Sequence, residues 1–264
     1  MRYAICLSGQ LRDWRVTFDT FIQHMPHCDV FISTWKSDET EEVVSKVGPL
    51  DIVENDFEAF QKDHISLLTK CFYKERRYDP LRPNRTKDLL PSLSMFFNIW
   101  KCNELKKKHE QQKRFTYEVV IRLRSELNFL RLPNQKLFRK IINGSKCIYI
   151  PKGFEWGGIT DLFAFGSSPS MDIYSSVWTH FTPSAINSQY DVITNPERLL
   201  IYHFQSERLP FKTKKMDIRL RGTNIYPKDY VTKEIKSFSR KLPKRILPKS
   251  LRTWVRMQIG KILR

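Results

Sequence analysis

Residues 117–126 read Tyr-Glu-Val-Val-Ile-Arg-Leu-Arg-Ser-Glu, an apolar run that ends in charge. Its first seven residues are rich in β-branched side chains and too short for a buried helix, so they read as a buried strand. Side chains alternate along an extended chain, which puts Arg122, Arg124 and Glu126 on one side and Ile121 and Leu123 on the other. Two arginines and a carboxylate at the end of an apolar strand are costly to bury without partners. They form either an internal ion-pair network or one wall of a ligand site.

Just before this strand, residues 91–112 carry Leu93, Phe96, Phe97, Trp100 and Leu105 at helical spacing and predict a long helix. Further back, residues 2–7 (RYAICL) predict a short strand that enters a loop at Ser8-Gly9. Residues 14–25 fit a helix with Val16, Phe18, Phe21 and Ile22 inward, residues 29–35 (DVFISTW) a second strand, and residues 51–54 a third. Residues 57–90 are polar, and the basic, proline-interrupted stretch 74–87 reads as a mobile excursion. After the central strand, 147–150 and 162–165 are expected strands, and 167–178 and 196–207 expected helices. Asn195 would cap the last helix, with Pro196 in its first turn and Glu197 as an early carboxylate. This alternation predicts an α/β fold, a mixed sheet with helices on both faces.

The chain has 264 residues, 41% of them hydrophobic and 13% aromatic, with only 9 Gly. That excludes fibrous and wholly disordered classes and allows one large core. Lys plus Arg is 46 against 28 acids, a net charge of +18. Residues 231–264 hold eleven of the cations and one acid, so the tail accounts for +10 and the rest of the chain for +8. One domain over residues 1–230 and a basic helical tail over 231–264 are the expected organisation. Within the tail, Leu251, Trp254, Val255, Ile259, Ile262 and Leu263 share a helical face with basic residues around it. Residues 249–264 therefore read either as a helix lying on an anionic membrane surface or as one docked on its own domain. Five cysteines without a Cys-x-x-Cys pair suit a reducing interior. Met1-Arg2 runs straight into the first strand, so no signal peptide is expected and two Asn-x-Ser/Thr sequons read as incidental. The expected location is cytoplasmic, peripheral on the cytosolic face of a membrane if the tail binds there.

Three motifs could carry chemistry. Ser8-Gly9-Gln10-Leu11-Arg12 follows the first strand, where open α/β sheets bind ligands. Gly9 permits close backbone approach, Ser8 and Gln10 offer hydrogen bonds, and Arg12 can pair with a phosphate; a tight turn with a surface arginine explains it equally. At the end of the central strand, Arg122 and Arg124 could receive a diphosphate while Glu126 contacts a sugar hydroxyl or a divalent metal. Trp156-Gly157-Gly158 delivers Asp161 just before a strand: a general base or donor-sugar ligand, with Trp156 stacking on a sugar, or simply a turn-capping acid. Ser94, Asn98 and Lys101 share an edge of the long helix, either beside a ligand or in helix packing. His24-Met25-Pro26-His27-Cys28 is interrupted by proline and lacks a distant partner pair for a metal; His203, between Tyr202 and Phe204, reads as packed.

In this order and spacing, the Ser8–Arg12 segment, the V-I-R-x-R-x-E strand at 120–126 and the D-x-F-A-F-G-S run at 161–167, followed by Met171-Asp172-Ile173-Tyr174, resemble a group of glycosyltransferase-like proteins from large viruses and bacteria. The resemblance covers roughly residues 1–210. It implies a GT-A-like (Rossmann-like) fold, with a nucleotide-binding part at about 1–126 and an acceptor part at about 127–230. It also implies transfer of a hexosyl or pentosyl group from a nucleoside diphosphate, above all UDP, to a glycan hydroxyl. Carried over by position, Ser8, Gly9, Gln10, Arg12, Ser94, Asn98, Arg122, Arg124 and Glu126 bind the donor, Trp156 and Gly158 the acceptor, and Asp161 serves catalysis or the donor sugar. The family's Asp-x-Asp metal motif is replaced here by Arg-Ser-Glu. Glu126 would then be the ligand of Mn²⁺ or Mg²⁺, or the reaction is metal-independent and the arginines neutralise the departing diphosphate. An Asp161 on the acceptor side implies inversion, its absence there retention.

Two rivals come from other classes. The charge alone suits a nucleic-acid-binding protein or nuclease, but more than half of it lies in the tail and the body carries no recognisable nucleic-acid module, so no specific nucleic acid is expected. The missing second acid suits a membrane-associated scaffold that keeps the fold without catalysis.

Overall fold

The computed structural model describes residues 2–25, 27–64, 90–153, 158–180 and 196–220; the expectations for 74–87, Trp156, Asn195 and the tail at 231–264 fall outside them. Two compact units are delimited, Met1–Ile218 and Arg219–Arg264, and the account below concerns the first.

Seven strands form one sheet in the order β3-β2-β1-β4-β7-β6-β8: β1 (Tyr3–Ser8), β2 (Cys28–Trp35), β3 (Asp51–Asn55), β4 (Val119–Leu123), β6 (Ile148–Pro151), β7 (Phe163–Gly166) and β8 (Phe211–Lys214). A short β5 (Leu127–Phe129) lies outside it. β1 pairs in parallel with β2 and β4, with Ile5 opposite Val30 and Ile121. β7 runs antiparallel to β4, with Phe163 opposite Leu123 and Ala164 opposite Arg122. The six strands expected from the sequence all appear; β5 and β8 were not expected.

Every residue of β4 is buried, because helices cover both faces. On one face Ala4, Cys6, Phe31, Val120 and Ala164 meet α4 (Leu90–Lys113), α6 (Ser168–Ser175) and α7 (Pro196–Ser206). The Cys102 thiol of α4 donates to the Phe31 carbonyl at 3.3 Å. On the other face, Phe138 of α5 (Gln135–Ile142) packs on Tyr3 and Phe165, and Phe21 and Phe129 pack on Phe163. Each such fully buried ring contributes about 1.5–3 kcal/mol. The exposed edges carry Asp51 and Glu54 on β3 and Lys212 on β8, charges that discourage pairing with another chain.

The helix expected over 14–25 is split. α1 (Trp14–Thr20) ends where Phe21 leaves helical geometry, at φ −137°, and a 3₁₀ turn over Ile22–His24 follows. Three short helices had no sequence expectation, α2 (Thr40–Val47), α3 (Phe57–Asp63) and α5. Asp56 caps α3 by accepting from the Ala59 amide at 3.0 Å, and Phe60 inserts among Trp35, Phe97 and Trp178.

α4 is also tied to α6 by charge. Lys106, fully buried, contacts Glu110 at 3.0 Å, Asp172 at 2.7 Å and the Ser168 hydroxyl, and Asn103 donates to the same Asp172 oxygen at 2.8 Å. Two carboxylates and a hydroxyl thus surround the buried ammonium.

Candidate functional site

The chain runs β1 to β2 to β3 in one direction and then returns to place β4 on the far side of β1. Such a reversal opens a crevice at the carboxyl ends of the two central strands, the place where open α/β sheets bind ligands. Two of the three sequence motifs leave those ends directly, and the third is brought to them by the antiparallel β7.

β1 ends at Ser8, which is buried, and Gly9 turns the chain with φ at 109° while its amide donates to the Ser33 carbonyl at 3.0 Å. A Cβ at Gly9 would meet nothing within 4 Å, so the glycine is required by backbone conformation and not by space. Gln10 and Arg12 are exposed beyond it. The Ser125 hydroxyl donates to the Gln10 carbonyl, clasping the first turn to the segment after β4. From α1, Thr17 Oγ1 accepts from the Leu127 amide at 2.9 Å and lies against the Ser125 and Leu127 carbonyls, which fixes the path from β4 to β5.

Arg122 and Arg124 differ sharply. Arg122, 1% exposed, lies on the α4–α6 face and donates through Nη1 to the backbone carbonyl of Asp161. Its Nε and Nη2 find no partner among the described residues. Burial lowers its pKa, opposed by Tyr174 and Asp161. Arg124, 31% exposed at its side chain, bridges two carboxylates, Asp161 Oδ2 at 3.2 Å and Glu126 Oε1. Burial pulls its pKa down, but Asp161 and Glu126 outweigh that and the net shift is upward. Its backbone amide donates to the Leu162 carbonyl at 3.1 Å. Of five guanidinium N–H groups, these two ion pairs engage two.

The Ser8–Arg12 turn, the Arg122–Glu126 segment and Asp161 therefore converge, and both readings of the arginines hold in part. Arg124 belongs to an internal ion-pair network that engages two of its N–H groups; Arg122 is a buried cation that makes no hydrogen bond to a carboxylate among the described residues. Asp161 is 3% exposed and engaged by Arg124, a placement that suits a group orienting guanidiniums or holding a donor hydroxyl better than a base open to an incoming acceptor. Gly158 is half-buried in a bend, and Ile159 just after it donates to the Glu197 carbonyl at 2.8 Å, which pins the segment leading to Asp161 against the start of α7.

A hard divalent cation does not fit at Glu126. Arg124 occupies the space between the two carboxylates that could ligate one, and no third ligand joins them among the described residues. Nor do Ser94 and Asn98 form an open polar edge. Ser94 donates to the Pro91 carbonyl at 3.0 Å, and the buried Asn98 accepts from Ser33 at 3.0 Å and Asn55 at 3.1 Å, locking the ends of β2 and β3 to α4. Lys101 lies over the Phe97 and Trp100 rings.

Sequence reasoning missed Tyr174. Its hydroxyl is buried without a partner among the described residues, and burial pushes its pKa up to about 12 while Arg122 pulls it down. Ser8 Oγ and Trp14 Nε1, on either side of the first turn, are likewise buried without partners. The position of Tyr174 in the Met171–Tyr174 run was legible; its orientation toward Arg122 depends on packing across 52 residues of chain.

Among the described residues no helix is long and apolar enough to cross a membrane. No known family model matches the chain, and no curated protein matches it. Among solved structures, it is similar to the apo form of mouse xyloside xylosyltransferase 1, with a TM-score of 0.46 and 11% identity over 81% of this chain and 85% of that one. It is also similar to the apo form of the glycosyltransferase GlyE of Streptococcus pneumoniae TIGR4, with a TM-score of 0.45 and 10% identity over 94% of this chain, which spans about half (52%) of that longer protein.

Proposed function

We propose that the protein is a glycosyltransferase that takes a nucleoside diphosphate sugar, UDP-linked, as donor and a glycan hydroxyl as acceptor. One observation carries this reading: at the sheet's switch point lies a fully buried guanidinium, Arg122, that donates to the Asp161 carbonyl and has two nitrogens without a partner among the described residues, while the Ser8–Arg12 turn is clasped to the same strand end through Ser125. Unsatisfied buried donors cost about 1–3 kcal/mol each, and an anionic ligand that accepts from them removes that cost. The motif order that resembles glycosyltransferase-like proteins supplies the substrate class.

In this reading the Gly9 turn lets the backbone approach the nucleotide, and Ser8 and Gln10 hydrogen-bond it. Arg12, Arg122 and Arg124 face the diphosphate. When the acceptor hydroxyl attacks the anomeric carbon, the bond to the diphosphate oxygen breaks, the hydroxyl proton passes to the departing diphosphate, and the negative charge that grows on this leaving group is stabilised by the arginines in place of a metal. Asp161 holds Arg124 in position and reaches a donor-sugar hydroxyl. The basic amphipathic residues 249–264 would hold the enzyme on an anionic membrane surface at the cytosolic face.

The test is a titration of the purified full-length chain with UDP, several UDP-sugars and other nucleotides, read by melting temperature and calorimetry without added metal. The expected result is a rise in melting temperature with UDP and its sugars, lost in Arg124→Ala. An unchanged melting temperature with every nucleotide, or unchanged UDP affinity in Arg124→Ala, overturns the assignment.

A further inference from the structure

A second polar cluster lies apart from these residues, at the end of α7. His203 on the last turn of α7 and Glu207 just beyond it are four residues apart and so share a helical face. His180 closes the 3₁₀ turn over Ser176–His180 that continues α6. One ligand-capable atom from each of the three lies within 4.8 Å of the others. His180 Nε2 stands 3.4 Å from Glu207 Oε1, and the two imidazole rings are 4.8 Å apart, edge to face.

The hydrogen bonds settle which nitrogens can ligate. His203 Nε2 is 2.6 Å from the Ile173 carbonyl, which can only accept, so that nitrogen carries the proton and Nδ1 presents its lone pair. His180 Nδ1 likewise faces the Ser176 carbonyl at 3.1 Å, leaving the Nε2 lone pair toward Glu207. Histidine ligands of metals are ordinarily held in this way, with the second ring N–H donated to a backbone carbonyl or carboxylate that fixes tautomer and ring plane.

An independent observation points to a ligand. His203 is 2% exposed, and its Nδ1 is buried with no partner among the described residues. A simple surface ion pair between His180 and Glu207 leaves that atom unexplained; a cation shared by all three satisfies it. The separation of 3.4 Å between His180 and Glu207 is also the edge of a tetrahedron with ligand distances of about 2.1 Å.

We propose that His203 Nδ1, His180 Nε2 and Glu207 bind a divalent transition-metal ion, with zinc the best match to two imidazoles and a carboxylate. His180 and Glu207 are partly exposed, so water takes the fourth position. The ion fastens the 3₁₀ turn after α6 to the end of α7. Magnesium, which demands oxygen ligands in an octahedron, does not suit this set.

The experiment uses full-length protein stripped with chelator, titrated with zinc chloride against a chromophoric competitor and followed in parallel by thermal denaturation. One equivalent of zinc should bind and raise the melting temperature by about 5 °C at a hundredfold excess over Kd, with no effect of magnesium at the same concentration. His203→Asn could disturb folding, so the deciding variants are the partly exposed His180→Asn and Glu207→Gln. Each should fold with the apo melting temperature of the wild type and lose at least tenfold in zinc affinity. Zinc bound equally well by both variants, as a thiol site elsewhere would give, overturns the proposal; so does a wild type that binds none.

Discussion

Lys106 and Arg122 are the two fully buried cations among the described residues, and both lie on the sheet face covered by α4 and α6. Their surroundings are opposite. Lys106 is closed: two carboxylates and a serine hydroxyl surround its ammonium, two of them in hydrogen bonds. Arg122 is open: one backbone carbonyl takes one N–H group, and two of its nitrogens have no partner among the described residues. A cation that burial has fully compensated joins two helices and has no capacity left for a ligand. One that the fold buries without full compensation costs stability unless an anion accepts from it, and the donor role proposed for Arg122 rests on that difference.

The comparison breaks first at Lys106. Lys106→Ala leaves Glu110 and Asp172 facing each other's neighbourhood without a cation. Breaking a buried ion pair in this way costs about 3–5 kcal/mol, and Asp172, a third exposed, places the expected loss near 3. That lowers the melting temperature by roughly 6–12 °C for a domain of this size. Below the new transition, UDP affinity should be unchanged. A variant that melts like the wild type would mean the cluster holds nothing together; one that loses UDP binding while folded would place Lys106 in the site.

Arg122→Met is the converse. Replacing a poorly compensated buried charge by an apolar side chain of similar length is expected to change stability by no more than about 1 kcal/mol in either direction. UDP affinity should fall at least tenfold, since hydrogen bonds to charged groups contribute about 1.5–3 kcal/mol. Calorimetry and denaturant unfolding of the same preparation separate the two effects. A large loss of stability with intact binding would make Arg122 a second Lys106, and the contrast would disappear.

The contrast between the two cations was only half legible in the sequence. The strands were readable where both faces are covered: Val119–Leu123 has no polar face to confuse its assignment until Arg122. The gathering of Ser8–Arg12, Arg122–Glu126 and Asp161 followed from the rule that such sheets bind beyond strand ends. What could not be read is partnership. Asp172 lies 66 residues from Lys106, and nothing local marks it as the acid that closes that cluster, just as nothing marks Asn98 as the residue that answers Ser33 and Asn55. Two of the three unexpected short helices escaped for another reason. α2 and α3 each bury only one large apolar side chain, Val43 and Phe60, too little periodicity to stand above loop composition.

The smallest effects test the contrast most finely, because they remove single oxygen atoms. Ser8 Oγ and Tyr174 Oη are buried and unpartnered among the described residues, so in the ligand-free protein each carries a desolvation cost with no return. Ser8→Ala and Tyr174→Phe should therefore leave the free protein as stable as before or up to about 1 kcal/mol more stable, the reverse of what deleting a satisfied buried hydroxyl does. If the two oxygens await a ligand, UDP or a UDP-sugar should bind each variant roughly three- to tenfold more weakly, the worth of one neutral hydrogen bond. Thr17→Val supplies the control: its hydroxyl already accepts from Leu127, and its loss should cost stability in the free protein. Stability lost in Ser8→Ala and Tyr174→Phe as well would mean that these hydroxyls are satisfied in solution, and the argument from open polar groups would fail for Arg122 along with them.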